Sequence, residues 1–438
     1  MNMHVAVIGA GAAGLCATRH LTAHNSGFTC VVYEQTNCIG GTWVYTENTG
    51  KDEYGLPIYS AIYKNLRTNL GKENMEFPGF PFLNSKSFVT AAEVLQYLQD
   101  YTNHYNLKEN IKFLHHVKYV CPKADKWEIT SVHLPDNKEF IEKFDAVIVG
   151  NGHHNEPDMV DFPGISDFRG KVMHSHSYRM PEPFTNKAVL ICGAGPSGID
   201  ITYDLASSAS KIYFSHRSQE LKLNEFPKNV EHVPVVHVVK EDHVIFEDGS
   251  KSGYIDVILL CTGYKYALPF LAPECGITII ESKFIQPLYK HIVNINQPTM
   301  GFIALPFRTL LLPLIDHQVR YFLKTLTGEV ELPTQEDMFA ELAQEIQSKK
   351  EQGVPIRKYH ELKANMKPYM EGLADVAKLE QLPPVVYNIY QVTTSFREKN
   401  LKNYRNAVFH IVDNNNFTVT GLEIEEHKEG HSTIQLDT

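Results

Sequence analysis

The stretch Val5-Ala-Val-Ile-Gly9-Ala-Gly11-Ala-Ala-Gly14 decides the fold. A short apolar run reads as a buried parallel strand, and the three glycines follow at the spacing that turns a strand sharply into a helix. Gly9 serves the turn, Gly11 lets the backbone approach a pyrophosphate, and Gly14 lets the new helix pack on its strand. Phosphates at such a helix N-terminus meet unpaired N–H groups and the positive end of the helix dipole. A second strand, Cys30 to Tyr33, ends at Glu34, where an acid accepts hydrogen bonds from a ribose. The alternative is a glycine-rich turn without a ligand, but strand, glycines, helix, strand and acid in this order favour a dinucleotide.

The 438 residues exceed one compact core and suggest two domains, at roughly 100–200 residues each. Lys and Arg number 41 against 51 Asp and Glu, and the net charge of −10 argues against nucleic acid as a partner. No apolar run approaches the ~20 residues of a membrane span, so a soluble protein is expected. The N-terminal apolar run is already the nucleotide strand, so no signal peptide is read in it. The expected location is the cytoplasm, or outside the cell if a leader precedes Met1. Seven cysteines without a CxxC pair argue against a disulfide framework and a dithiol redox centre. Cys192 and Cys261 lie in apolar runs, as inert core residues do. The pairs His115-His116 and His153-His154 lack further ligands in the sequence, and no metal is expected.

Along the chain, Gly40-Gly41-Thr42-Trp43 either lets the backbone pass a flat ring that Trp43 walls off, or is a turn with a packed Trp. Residues 63 to 82 mix polar and aromatic side chains without a period, and a long irregular segment in an α/β domain is more often functional than idle. Thr90 to Tyr105 reads as a covering helix, with Thr90 as N-cap three residues before Glu93. Residues 111 to 150 alternate as strands and end in an apolar run into Gly150-Asn-Gly152. Ala188 to Gly198, AVLICGAGPSG, repeats the whole strand-glycine-helix pattern and predicts a second dinucleotide site. Its second strand, Lys211 to Phe214, runs into Ser215-His-Arg217, with no acid at the place of Glu34. An acid there would repel a 2′-phosphate, whereas Arg217 can pair with one, so NADPH is expected rather than NADH; a plain surface charge is the alternative. Thr334 to Gly353 reads as a capped helix with Phe339, Leu342, Ala343 and Ile346 on its apolar face.

Between the two fingerprints stands Phe168-Arg-Gly170-Lys-Val-Met-His174-Ser-His-Ser-Tyr178. With it the chain resembles the class B flavoprotein monooxygenases, whose FxGxxxHxxxY/F pattern it fits. Tyr178 is similar to the flavin-containing monooxygenases, where Baeyer–Villiger enzymes usually have Trp. LRTNLGKENMEFPGFPF resembles the family segment carrying an active-site Asn, which falls on Asn69. DVILLCTGY, Asp256 to Tyr264, resembles the ATGY-type linker with Cys261 for Ala, and Gln318 and Arg320 resemble the QAR segment with Val319 for Ala. The length and polar ending look like the insect branch, which includes pyrrolizidine alkaloid (senecionine) N-oxygenases.

The resemblance implies an α/β fold of two Rossmann-like dinucleotide-binding domains. Residues 1–165 and 286–438 would form an FAD domain ending in a helical segment, with an NADPH domain, 166–285, inserted between them. It implies FAD contacts along Gly9, Ala10, Gly11, Ala12, Ala13 and Gly14, and at Glu34, Gln35, Gly41, Thr42 and Trp43. Further FAD contacts would be Thr68, Asn69, Val117 and Gln318, with Asn69 as the catalytic residue. For NADPH it implies Gly193, Gly195, Pro196, Ser197, Gly198, Ser215, Arg217, Thr262 and Gly263.

The implied activity is NADPH-dependent formation of a flavin C4a-hydroperoxide that oxygenates a soft nucleophile with molecular oxygen. A tertiary amine such as a pyrrolizidine alkaloid fits, in alkaloid detoxification, as does a thioether. The protein's work would be to bind, orient and exclude water while the cofactor does the hard chemistry. A Baeyer–Villiger monooxygenase and an inactive nucleotide-binding interaction protein are the alternatives, and a homo-oligomer is left open.

Overall fold

The computed structural model of the chain describes residues 2–83, 85–217, 225–422 and 432–433. The opening stretch forms β1 (Met3–Ile8), α1 (Ala12–Leu21) and β2 (Phe28–Tyr33). β1 and β2 are parallel, Met3 opposite Phe28 through Ile8 opposite Tyr33, and β1 pairs in parallel with Ala146–Val149 on its other side. A strand covered on both faces reads as continuous apolar sequence rather than as alternation. That is why Val5, Ala6 and Val7 have no exposed surface. The seven-stranded sheet continues through β2 to Ile111–Lys112 and, the other way, through Met300–Phe302 and Val293–Asn294 to Leu288–Tyr289. Segments from both ends of the sequence therefore share one sheet.

The second fingerprint builds β3 (Ala188–Cys192), α2 (Pro196–Leu205) and β4 (Lys211–Ser215). β3 and β4 lie in an all-parallel five-stranded sheet with Val230–Val233, Val257–Leu260 and Lys171–His174. The chain crosses between the sheets twice, and the two crossings pair with each other. Glu156–Pro157 runs antiparallel to Tyr264–Lys265, Asp158 N–H donates to Gly263 O at 2.9 Å, and Thr262 Oγ1 donates to Asp158 O at 2.5 Å. Pairing satisfies backbone groups that single linkers would leave to solvent. Lys283 adds an ion pair to Asp158 at 2.6 Å.

The helix at Ala91–His104 has the full capping box, Thr90 accepting from Glu93 N–H and the Glu93 carboxylate accepting from Thr90 N–H. The helix α3 (Leu311–Thr327) packs against α1 in the largest core cluster. Farther on, Thr334 caps Gln335–Glu351 as expected, but the buried face differs from the expected one. Met338 and Leu342 point inward, at 2 % and 9 % exposure, while Phe339 is 39 % exposed. Positions four apart stack on one helix face, and anchoring on Met338 turns Phe339 and Ala343 outward. Among the described residues, no helix is long and apolar enough to cross a membrane.

Candidate active site

The first cradle follows from contacts that allow no side chain. Gly9 has φ +97°, and a Cβ on Gly14 would sit 1.8 Å from Gly9 O, so both glycines are demanded by the strand-to-helix turn itself. Gly11 is different. A Cβ there would meet only the Gly41 Cα, at an ordinary 3.6 Å, so nothing in the protein requires glycine at that position. The Gly40 N–H donates to Ala10 O at 3.0 Å and brings the Gly41–Trp43 turn against the fingerprint loop. α1 begins at Gly11 without a side-chain cap and with no acid in its first turn, leaving its N–H groups open to an anion. Two facing glycines at an uncapped helix start fit the pyrophosphate of FAD.

Around this cradle the expected contacts divide. Thr42 is exposed, and Gly11, Ala12, Gly41, Trp43 and Gln35 are half-buried at the cleft. Glu34 is 3 % exposed and already occupied. Its Oε1 accepts from Thr36 N–H, Thr36 Oγ1 and Tyr59 Oη, each at 2.8 Å, and its Oε2 accepts from Ala10 N–H at 2.9 Å. Only Oε2 retains a lone pair for a ribose. Ala10 is fully buried and serves through that N–H, and Gln35 Oε1 accepts from His116 Nδ1 at 3.1 Å beside the buried Val117. Gln318, expected at the flavin, is also fully buried. Its Oε1 accepts from Ala304 N–H at 2.9 Å and its Nε2 donates to Tyr369 Oη at 2.9 Å. Gln318 therefore stands one layer behind the cleft surface, bracing Ala304.

Asn69 lies in the irregular segment, held through its neighbour. Thr68 N–H donates to Val89 O at 2.8 Å, and Thr68 Oγ1 accepts from Val89 N–H at 3.2 Å. Farther along, Phe77 N–H donates to Tyr97 Oη at 2.7 Å, and Phe82 stacks on the Tyr97 ring at 3.8 Å. The segment is ordered without regular structure because side chains, not a ladder, satisfy its backbone. Asn69 is half-buried, and among the described residues its carboxamide has no protein hydrogen-bond partner. An Asn that merely closes a turn would bond to its own backbone.

The second cradle repeats the first. Gly193 has φ +112° with its Cβ position 2.5 Å from Cys261 O, and a Cβ on Gly198 would sit 1.8 Å from Gly193 O. Gly195 faces open space, and Pro196, which has no N–H to leave unpaired, opens α2. Ser197 follows at the surface of this turn, half-buried, beside the half-buried Thr262 and exposed Gly263. Ser215 Oγ donates to Pro234 O at 2.8 Å, and Thr262 Oγ1 is likewise engaged with Asp158 O. The Arg217 side chain is 80 % exposed and only loosely paired, 3.7 Å from Glu247. It is free to meet a 2′-phosphate. Arg217→Ala is expected to raise the KM for NADPH roughly ten- to a hundredfold with little change for NADH, since a charge-assisted contact contributes about 1.5–3 kcal/mol. Steady-state kinetics with both nucleotides checks it, and equal losses make Arg217 structural.

Histidines crowd the space between the cradles. Crowding by the surrounding protein lowers the pKa of His154 to about 4. Its ring lies 4.2 Å from that of His153 and 5.2 Å from Tyr264. His174 is likewise lowered to about 4, chiefly by burial, and packs on Tyr264 at 5.3 Å. These imidazoles are neutral at neutral pH. Burial pushes the Cys261 thiol up to about 12, which keeps it inert. Cys16, His20 and Asp316 bring three ligand atoms within 4.8 Å of one another. However, Arg320 stands 3.5 Å from Asp316 and Arg19 2.9 Å from the His20 ring, so the carboxylate already has cations beside it. This cluster fastens α1 to α3 through the 2.7 Å His20–Asp316 contact.

Sequence reading missed Arg179 and Arg405. Arg179 is 6 % exposed and donates to four carbonyls, those of His176, Tyr178, Asn48 and Ser60, tying the stretch after the strand Lys171–His174 to the loop before the Asn69 segment. Its place directly after Tyr178 was the available signal. Arg405 had none, because its partners lie far off in sequence.

A family model described as flavin-binding monooxygenase-like matches residues 2–229 and 226–390. Senecionine N-oxygenase of Tyria jacobaeae is 33% identical over 421 residues, covering 94% of this chain and 91% of that protein. Flavin-containing monooxygenase FMO GS-OX4 of Arabidopsis thaliana is 35% identical, covering 86% of this chain and 84% of that protein. The structure of S-allyl-L-cysteine S-oxygenase from Allium sativum superposes with a TM-score of 0.87 at 30% identity, over 93% of this chain and 96% of that one.

Proposed function

The chain belongs to the flavin-binding monooxygenase-like family and is an FAD- and NADPH-dependent monooxygenase, and from that premise we propose that it oxygenates the nitrogen of a tertiary amine. A pyrrolizidine alkaloid is the substrate type the reading favours, given the likeness to senecionine N-oxygenase over nearly the whole chain. In this reading residues 1–165 and 286–438 hold FAD and residues 166–285 hold NADPH.

Electron transfer from NADPH and activation of oxygen would be supplied by bound FAD. The chain's own residues bind and orient. The uncapped starts of α1 and α2 take the two pyrophosphates, Gly11 and Gly195 leaving room for close approach. Arg217 selects the 2′-phosphate. Asn69 presents donors and an acceptor between the two sites without bringing a charge or a transferable proton.

The observation that carries the reading is the uncharged, half-buried Asn69, whose carboxamide has no protein partner among the described residues. A lone pair on nitrogen or sulfur attacks an electrophilic oxygen without help from a base, so such a centre suffices. S-oxygenation of a thioether is the second reading, supported by the likeness to the Allium S-oxygenase.

The test supplies the purified holoprotein with NADPH in air and, separately, a pyrrolizidine tertiary amine, a thioether and a cyclic ketone. The expected product is the N-oxide, formed in proportion to NADPH consumed. Sulfoxide alone would shift the reading to sulfur, lactone alone to a Baeyer–Villiger enzyme, and a flavin that NADPH does not reduce to an interaction protein.

A further inference from the structure

The helix of the second cradle and the Asn69 segment are far apart in sequence, and the largely buried Asp200–Arg405 ion pair stands between them. From it we infer that Asp200 and Arg405 act together as positioning residues for Asn69. The inference rests on the reading of Asn69 as the residue at the reacting centre, and it names what holds that residue in place.

Arg405 comes from the short turn Tyr404–Asn406 near the end of the described chain. Its Nη2 donates to Asp200 Oδ2 at 2.6 Å, and its Nε donates to Thr68 O at 2.9 Å. The two side chains are 18% and 16% exposed, so water competes little for either contact. The Thr68 carbonyl belongs to the same planar peptide as the Asn69 N–H, and its orientation sets the plane from which Asn69 departs. The opposite side of Thr68 is already tied to Val89. Arg405 thus holds the carbonyl end of the peptide whose N–H belongs to Asn69, while Val89 holds the preceding N–H and the Thr68 hydroxyl.

Asp200 lies in α2, whose first residues form the second cradle, and its neighbours repeat the link. Tyr63 Oη lies 3.4 Å from Asp200 Oδ2. One turn on, Asp204 accepts from Tyr178 Oη at 2.6 Å and from Asn65 Nδ2 at 2.8 Å. The Arg67 guanidinium returns to Arg405 O at 3.0 Å. One face of α2 is therefore bound to residues 63–68 while its N-terminus faces the nucleotide. Seating of α2 and placement of Asn69 become one event. Arginine suits the task because its planar fork serves a carboxylate and a carbonyl at fixed angles, which a lysine ammonium cannot do at once.

The experiment uses the full-length holoprotein with Asp200→Asn, which keeps the shape and removes the charge, and with Arg405→Lys, which keeps the charge and removes the Nε–H. Hydrogen–deuterium exchange of Leu66–Gly71, measured without nucleotide, is expected to quicken about tenfold or more in both, as local opening becomes easier. With substrate, a larger share of NADPH oxidation is expected to end as hydrogen peroxide, while the KM for NADPH changes less than the yield of product. Wild-type exchange in both variants overturns the inference, as does a lowered Tm with exchange and product yield unchanged. Faster exchange with unchanged yield leaves the positioning role standing and removes Asn69 from the chemistry. If neither variant accumulates, the wild type decides: exchange of Leu66–Gly71 as fast as an open peptide overturns the inference, and slow exchange supports it.

Discussion

Asn69→Asp is expected to fold with a normal flavin content and to lose product formation by about a hundredfold or more, the scale on which removing one well-placed donor acts. The residue is half-buried, and among the described residues its carboxamide has no protein partner, so the substitution breaks no contact that holds the fold. What changes is the centre itself. Two N–H donors become none, and a half-buried position gains a charge with a titratable proton. NADPH oxidation is expected either to slow or to run to hydrogen peroxide. Paired assays of NADPH consumed, peroxide released and oxygenated product formed will show which. Wild-type turnover with tight coupling would remove Asn69 from the mechanism.

The second large effect separates two glycines three residues apart. Gly14→Ala places a methyl group 1.8 Å from Gly9 O, a contact no rotamer can relieve, so the turn must open and α1 must leave β1. Overpacking usually costs about 1–3 kcal/mol and occasionally more. A backbone clash this short belongs at the upper end, and the apoprotein is expected to lose several degrees of Tm or to fail to accumulate. Gly11→Ala meets nothing closer than the Gly41 Cα at 3.6 Å. Its Tm without flavin is expected to equal the wild type, while its bound FAD falls sharply, because the added methyl occupies the approach of the pyrophosphate. Thermal melts of flavin-stripped protein together with flavin titration distinguish the two. Equal flavin retention in Gly11→Ala and wild type would mean that the phosphates lie elsewhere.

Several residues that the motifs single out are already engaged inside the protein. Gln318 was expected at the flavin, yet its amide is spent on Ala304 and Tyr369. Ser215 stands at the right end of its strand, but its hydroxyl turns to Pro234 O. Glu34 is where an acid should be, and four donors from Ala10, Thr36 and Tyr59 reach it first. Motif spacing gives a residue's place along the chain and not the number of its lone pairs or N–H groups that remain free. The capped helix after Thr334 shows the same limit at the level of a face, since periodicity placed Phe339 inside and packing on Met338 put it outside.

Both strand-glycine-helix units, the parallel strands at their centre and the Thr90 capping box were legible in the residues alone. Each depends on dihedral angles, close approaches and periods that act within a few residues, and so it is written in local order. Only the tertiary structure decided which glycines the protein needs for itself and which leave room for a ligand, since that depends on what lies across the gap. It alone brought Arg405 to Thr68 and Asp200, and Arg179 to Asn48 and Ser60. Buried guanidinium groups take their hydrogen bonds from whichever carbonyls and carboxylates the fold delivers, and no spacing along the chain records that choice.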